Sequence, residues 1–346
     1  MLKVFCAKCL EDQECPLPWE KEKREILIKK EAETNPNWGE DPYNRPVEKL
    51  LRYGVINLDK PSGPTSHQVV AWVRDILGVK AGHGGTLDPK VTGVLPIAIG
   101  NATKVLQTLL LAGKEYVALM HLHKDVPFDR LVEVMNKFVG VIVQKPPLRS
   151  AVKKRPRRKK VYCIKIIEKD GKDVLFRVST EAGVYIRKLI HDIGRELGVG
   201  AHMQELRRTK AGSFREENSV YLQDIVDALH FWKEDSNEEY IRKVILPPEE
   251  SVKHMKKIWV LDSAVSAIAH GANLAIPGIA KLHSNIQKGD TVTIMSLKDE
   301  LVAIGIALMD SQTIMRKKRG IAVDIERVFI DPNLYPKLWK HGLVKE

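Results

Sequence analysis

Apolar positions along this chain change period several times, and each change predicts an element. Gly54-Val55-Ile56-Asn57-Leu58 alternates like a buried strand, and Asp59-Lys60-Pro61-Ser62-Gly63-Pro64 stops it with turn chemistry. Val69, Val70, Val73 and Ile76 then recur at helical spacing; Thr65-Ser66 supplies a cap and Gly78 an end. Residues 94–100 predict a buried strand, 101–111 a helix, 114–120 a strand, 131–140 a helix, and 141–144 a short apolar run before the rigid Pro146-Pro147. Residues 162–167 and 173–180 alternate around Asp170-Gly171, a hairpin signal. The stretch around Tyr185 opens a helix carrying Leu189, Ile190 and Ile193, with Gly198 and Gly200 at its end.

A charged, proline-bearing junction occupies residues 230–257, and short β-like runs resume at Ile258. Thr291 to Ile294, Leu301 to Ile304 and Gly305 to Leu308, separated by turns, predict a small, mostly β module ending near Ile330. Residues 1–50 mix charge, proline and tryptophan, and predict an irregular arm with a short helix around Glu20 to Glu33. The expected fold class is therefore α+β. Its divisions are an arm over 1–52, a larger domain over 53–250, a small β domain over 257–335 and a tail over 336–346.

Charge changes this picture. The 346 residues carry a net charge of +12, yet residues 1–50 hold 9 Lys/Arg against 11 Asp/Glu. The remaining residues thus carry 47 against 33, and the basic surface belongs beyond the arm, where it favours a polyanionic partner. Seven of the eight residues from Lys153 to Lys160 are basic, a density that fits both a solvated face and contact with phosphates. Leu206-Arg207-Arg208-Thr209-Lys210 adds three more cations. The apolar run from Val94 to Ala112 is interrupted by Asn101 and Lys104, and no secretion signal is recognisable, so the expectation is a cytoplasmic protein without membrane contact. Cys6, Cys9, Cys15 and Cys163 are too few and too bunched for a disulfide scaffold, which predicts reduced, solvent-facing thiols. Cys6-Ala7-Lys8-Cys9 is half a zinc spacing without its other half, and no metal is expected.

The candidate chemistry lies in Gly82-His83-Gly84-Gly85-Thr86-Leu87-Asp88-Pro89-Lys90-Val91-Thr92-Gly93. Glycines tolerate unusual backbone angles and close approach of a ligand. Pro89 restricts Asp88 to extended conformations. Two readings fit: a loop presenting Asp88, or a turn in which Asp88 caps the next segment. Asp59-Lys60-Pro61-Ser62-Gly63 is similar to the phosphate-accepting string of ion pumps, but those need membrane helices. No phosphate-cradling Gly-Lys-Ser/Thr loop is present.

Six motifs in order resemble the TruB-type pseudouridine synthases. They are Gly54 to Pro61, Gly82 to Pro89, Lys114-Glu115-Tyr116, Pro146 to Lys153, Tyr185-Ile186-Arg187, and Gly200-Ala201-His202-Met203-Gln204-Glu205-Leu206-Arg207-Arg208. Gly271-Ala272-Asn273-Leu274, Pro277-Gly278-Ile279, Lys288-Gly289-Asp290 and Val302-Ala303-Ile304-Gly305 resemble a PUA RNA-binding domain. The combination is similar to the catalytic subunit of H/ACA ribonucleoproteins, the branch that includes dyskerin. The chain runs directly from His121-Leu122-His123-Lys124-Asp125-Val126-Pro127 into a helix, without the insertion of bacterial tRNA-modifying members, and it lacks long lysine-rich nuclear tails. Both departures make the archaeal type the nearer match.

The resemblance implies a mixed, largely antiparallel sheet flanked by helices, plus the small β domain. It implies isomerisation of uridine to pseudouridine in rRNA and tRNA under a guide RNA, without a cofactor. Small accessory proteins of the Nop, Gar and kink-turn-binding ribosomal types are the implied partners. It assigns catalysis to Asp88, Tyr116 and Arg187, with Asp88 and Arg187 as a desolvated, bidentate pair, and substrate contact to Lys60, His83 and Leu206. Lys60 would brace the loop or approach phosphate. The basic residues Lys153, Lys154, Arg155, Arg157 and Arg158 would hold RNA. Rival readings are a stand-alone tRNA T-loop synthase and a non-catalytic RNA-binding scaffold.

Overall fold

The computed structural model describes residues 14–145 and 155–337. The helix expected over Glu20 to Glu33 is not there: only Pro18–Lys21 is helical, and Ile26–Ile28 is a strand, β1. The β-branched isoleucines favour extended backbone. The remaining strands are β2 (Tyr53–Lys60), β3 (Ala81–His83), β4 (Thr92–Gly100), β5 (Lys114–Leu122), β6 (Gly140–Gln144), β7 (Arg157–Asp170), β8 (Asp173–Thr180), β9 (Ala201–Ala211), β10 (Phe214–Arg215), β11 (Lys256–Val260), β12 (Leu274–Ala275), β13 (Ile279–His283), β14 (Thr291–Met295), β15 (Leu301–Ala307) and β16 (Ile321–Val328). The runs 301–304 and 305–308, read apart in the sequence, lie mostly in the single strand β15, with an irregular register at Ile304/Gly305.

Two compact units emerge, and neither is one stretch of chain. The first comprises the chain up to Lys21, Ile56–Ile97 and Leu106–His230; the second comprises Glu22–Val55, Ala98–Val105 and the chain from Phe231.

In the first unit the sheet order is β2-β4-β9-β5-β8-β7-β6, with β3 beside β4 and β10 beside β9. β4 and β9 are parallel, whereas β9, β5, β8, β7 and β6 pair antiparallel in turn. This is the expected mixed, largely antiparallel sheet. Helices Phe128–Lys137 and Ile186–Glu196 bury Leu131, Val134, Leu189, Ile190 and Ile193 together with Ala118, Met120, Phe176 and Val178 of the sheet. Helix Ser66–Leu77 starts at a Thr65/Gln68 capping box and stops at Gly78, whose φ of 67° is easily reached without a side chain.

The expected free thiols are corrected for two cysteines. Cys15 is fully buried and disulfide-bonded to Cys163 of β7, across a sequence separation of 148. Bunching along the sequence misled because the arm carries Cys15 onto the sheet; Glu20 on the same segment pairs with Lys210 and Arg215. Cys6 and Cys9 lie outside the described residues.

The second unit has the sheet order β1-β13-β11-β14-β15-β16-β12 around a core that includes Ile258, Leu282, Ile294, Val302 and Val323. Arm residues complete it. Leu27 pairs with Leu282, Trp38 packs on the core, and the Lys29 ammonium donates to the carbonyls of Ile314, Met315 and Lys317 at the end of helix Ser311–Arg316. Arg45 makes two hydrogen bonds, of 2.9 and 2.8 Å, to the buried Glu249 carboxylate, which also accepts the Leu301 N–H. Among the described residues no helix is long and apolar enough to cross a membrane.

Candidate active site

Three side chains from three different elements pin the Gly-rich loop. The Ser66 hydroxyl, fully buried, donates to Leu87 O at 2.9 Å and accepts the Leu87 N–H at 2.8 Å. The Lys60 ammonium donates to the carbonyls of Pro61, Pro89 and Val91 at 2.8, 2.9 and 2.9 Å. Arg208 donates to Gly85 O at 3.0 Å and Val94 O at 2.7 Å. Gly93 must be glycine: its φ is +98°, and a Cβ would stand 2.2 Å from Arg208 O. Between the buried Leu87 and a turn closed by Val91 N–H on Asp88 O, the Asp88 carboxylate points outward.

Arg187, in the first turn of helix Ile186–Glu196, places Nη2 3.0 Å from Asp88 Oδ2. The pair is neither desolvated nor bidentate: the two side chains are 65% and 63% exposed and share one hydrogen bond. The cause is placement at the outer edge of the loop, where water screens both charges. Such a pair contributes at most about 1 kcal/mol to stability.

Tyr116 of β5 stands opposite Arg208 of β9. Its half-buried ring packs on the apolar cluster that also receives Leu206, the partner of Ala118 in the same ladder. His83 is half-buried, and its Nδ1 accepts the Gly85 N–H at 3.3 Å, which leaves Nε2 to carry the proton of the neutral ring. Burial, His67 and Arg208 lower its pKa and favour that neutral form. The His67 ring meets it edge-on, with centroids 5.1 Å apart.

Of the two roles expected of Lys60, bracing the loop or approaching phosphate, its contacts fit the first, and only the substrate contact is corrected. Lys60 is fully buried and all three of its N–H groups are engaged by loop carbonyls, so it braces the loop and has none left for substrate. Burial lowers its pKa, opposed by the Asp88 carboxylate. The cations after Leu206 are also engaged within the protein. Arg207 pairs with Asp59 and Glu216, Arg208 is buried, and Lys210 pairs with Glu20 and Glu115.

Of the basic run, Lys153 and Lys154 lie outside the described residues. Arg155, Arg157 and Arg158 are exposed, and among the described residues none of them is in an ion pair. Lys159 is diverted inward to Glu181 Oε1 at 2.9 Å and Ala182 O at 2.6 Å. The sequence patterns missed Ser66, which stood in the shadow of its capping neighbour Thr65, and Lys114, whose ammonium caps the carbonyls of Leu109, Leu110 and Ala112. No periodicity marks either.

Four domain descriptions match successive parts of the chain. They are the DKCLD domain over 14–70, the TruB family pseudouridylate synthase N-terminal domain over 74–186, the tRNA pseudouridylate synthase B C-terminal domain over 187–253, and the PUA domain over 256–329. A probable tRNA pseudouridine synthase B of Nanoarchaeum equitans is 79% identical over 98% of this chain and 97% of its own. The corresponding protein of Pyrococcus horikoshii is 63% identical over 92% and 96%. Among solved structures, one of a Cbf5-Nop10-Gar1 complex matches with a TM-score of 0.89 and 62% identity, over 93% of this chain and 99% of that one. Another, of an H/ACA ribonucleoprotein bound to a substrate RNA containing 2′-deoxyuridine, matches with a TM-score of 0.87 and 59% identity, over 94% and 100%. Similarity of this extent, running through every domain, makes the chain a pseudouridine synthase of the TruB family with DKCLD and PUA domains.

Proposed function

We propose that this chain isomerises uridine to pseudouridine in rRNA and tRNA at positions chosen by an H/ACA guide RNA, with Asp88 as the catalytic carboxylate. The observation that carries the proposal is the outward-facing Asp88 beside Arg187, on a loop immobilised by Ser66, Lys60 and Arg208. The similarity to chains solved in complexes with Nop10, Gar1 and substrate RNA supports the guide and the accessory proteins. In this reading residues 53–250 hold the chemistry, 257–335 grip RNA, 1–52 form the arm and 336–346 a tail. In the same reading the location is the cytoplasm.

The reaction breaks the bond from C1′ to N1, turns the uracil and rejoins it through C5, which then loses its proton. Nothing is oxidised or hydrolysed. Asp88 acts at the sugar as nucleophile or base. An extruded base needs a flat apolar receptor, and the role is assigned to the Tyr116 ring, which packs on the same apolar cluster as Leu206. Arg187 orients Asp88, and His83 contacts the displaced RNA. Asp88→Asn is expected to abolish tritium release from RNA labelled at uracil C5 while leaving RNA affinity within about twofold. Retained release sinks the mechanism.

Relatives described as tRNA pseudouridine synthase B favour a second reading, a stand-alone tRNA enzyme. Assays on tRNA with and without guide RNA separate the two. Family membership in an enzyme class removes the scaffold reading.

A further inference from the structure

Glu115 and Tyr116 face opposite sides of β5, and β9 has to follow both. Glu115 pairs with Lys210 and Tyr116 with Arg208, so Thr209 is an extra residue on β9, a bulge set against the step from Glu115 to Tyr116. Cross-strand partners share a face. Arg208, and Leu206 opposite Ala118, therefore lie on the face of Tyr116, while Lys210 lies on that of Glu115. Strict alternation along β9 would instead put Arg208 and Lys210 on one face. If Thr209 came opposite Tyr116, Leu206 and Arg208 would turn away and Arg207 would take their side. Arg208 would then lose its reach to Gly85 O in the loop that carries Asp88, and Leu206 its place on the apolar cluster with Tyr116.

One carboxylate holds the bulge where it is. Thr209 and Glu115 are both buried, and Thr209 Oγ1 donates to Glu115 Oε1 at 2.8 Å. Arg177 Nη1 donates to the same oxygen at 2.8 Å, and Glu115 Oε2 stands 3.4 Å from the Lys210 ammonium. A fully buried carboxylate is a costly way to fill this space, because apolar side chains pack without desolvating a charge; setting register is the best-attested reason to keep one.

We infer that Glu115 is a positioning residue: by holding Thr209 it fixes the bulge of β9, and so keeps Leu206 and Arg208 on the face where Tyr116 receives the base. The inference rests on the reading of Tyr116 given above as the receptor of the base.

The test uses the guide-RNA-loaded complex, read by single-turnover rate and KM. Thr209→Val, which keeps the shape and removes the hydroxyl, is expected to lower the rate about tenfold or more with KM within about twofold, and Thr209→Ser to recover most of the loss. Glu115→Met should slow the reaction at least as much, and adding Thr209→Val to it should cost no more than about a further twofold. An unchanged rate in Thr209→Val, a change confined to KM, a loss that Thr209→Ser shares in full, or losses that multiply in the double variant overturn the inference. If Glu115→Met does not fold, the two Thr209 variants decide together with 3-fluorotyrosine incorporation. The 19F resonance of position 116, identified by its loss in Tyr116→Phe, should move in Thr209→Val and return in Thr209→Ser, and an unmoved resonance overturns the inference. Absence of pseudouridine with the wild-type complex would instead refute the proposed function, a result distinct from failure of these comparisons.

Discussion

Lys114 shows how much the surroundings of one side chain decide. Burial first, then the charges of Arg208 and Lys159, lower its pKa from 10.5 to about 7. The unfolded chain therefore binds this proton more tightly than the folded one between those values, so the contribution of Lys114 to stability rises with pH across that window. Compared with Lys114→Met in chemical denaturation, the wild type should gain up to about 4 kcal/mol between pH 7 and 10; a constant difference would contradict the assignment. Arg187 is the opposite case. Because its partnership with Asp88 is exposed, Arg187→Ala should shift stability by less than about 1 kcal/mol in a urea titration, yet slow pseudouridine formation at least about tenfold. The glycines and proline marked the loop that carries Asp88 but left presentation and capping both open, and the role proposed for Asp88 comes from the resemblance. Arg208 was not legible, since one arginine in a basic stretch looks like the next until burial separates them.

Among the elements, β7 joins structure to charge. It begins inside the basic run, with Arg157 opposite Gln144 and Arg158 opposite Val143 of β6. Replacing Arg155, Arg157 and Arg158 with glutamine should reduce the slope of log affinity against log salt by about 0.7 to 0.9 for each phosphate no longer neutralised, measured by RNA binding at several salt concentrations. Lys159→Gln should leave the slope unchanged, because its ammonium is turned toward Glu181. The hairpin of β7 and β8 was readable from alternation around Asp170-Gly171, as was helix Ser66–Leu77 from its apolar spacing and cap. β1 was not readable. Three residues carry too little period, and Ile26–Ile28 extends because β13 offers a free edge from far along the chain.

At the scale of the molecule, sequence order and spatial order part company. Local patterns announce elements, but nothing local says that Glu22–Val55 belongs in the same unit as the chain from Phe231. Buried charge ties those segments together: the Arg45 and Glu249 side chains are only 5% and 6% exposed. Arg45→Met should cost about 3–5 kcal/mol in denaturant unfolding by stranding the carboxylate, and changing both partners to apolar residues should restore much of it. Equal losses in the single and double variants would argue against a paired charge.

The Cys15–Cys163 bond gives this threading a topological consequence. It closes the backbone from 15 to 163 into a covalent ring, and the stretches 22–55 and 98–105 of the second unit are arcs of that ring. A single protease cut at the exposed Pro61-Ser62 turn opens the ring without releasing a fragment. The cut protein should run as one species on a gel without reductant and as two with it.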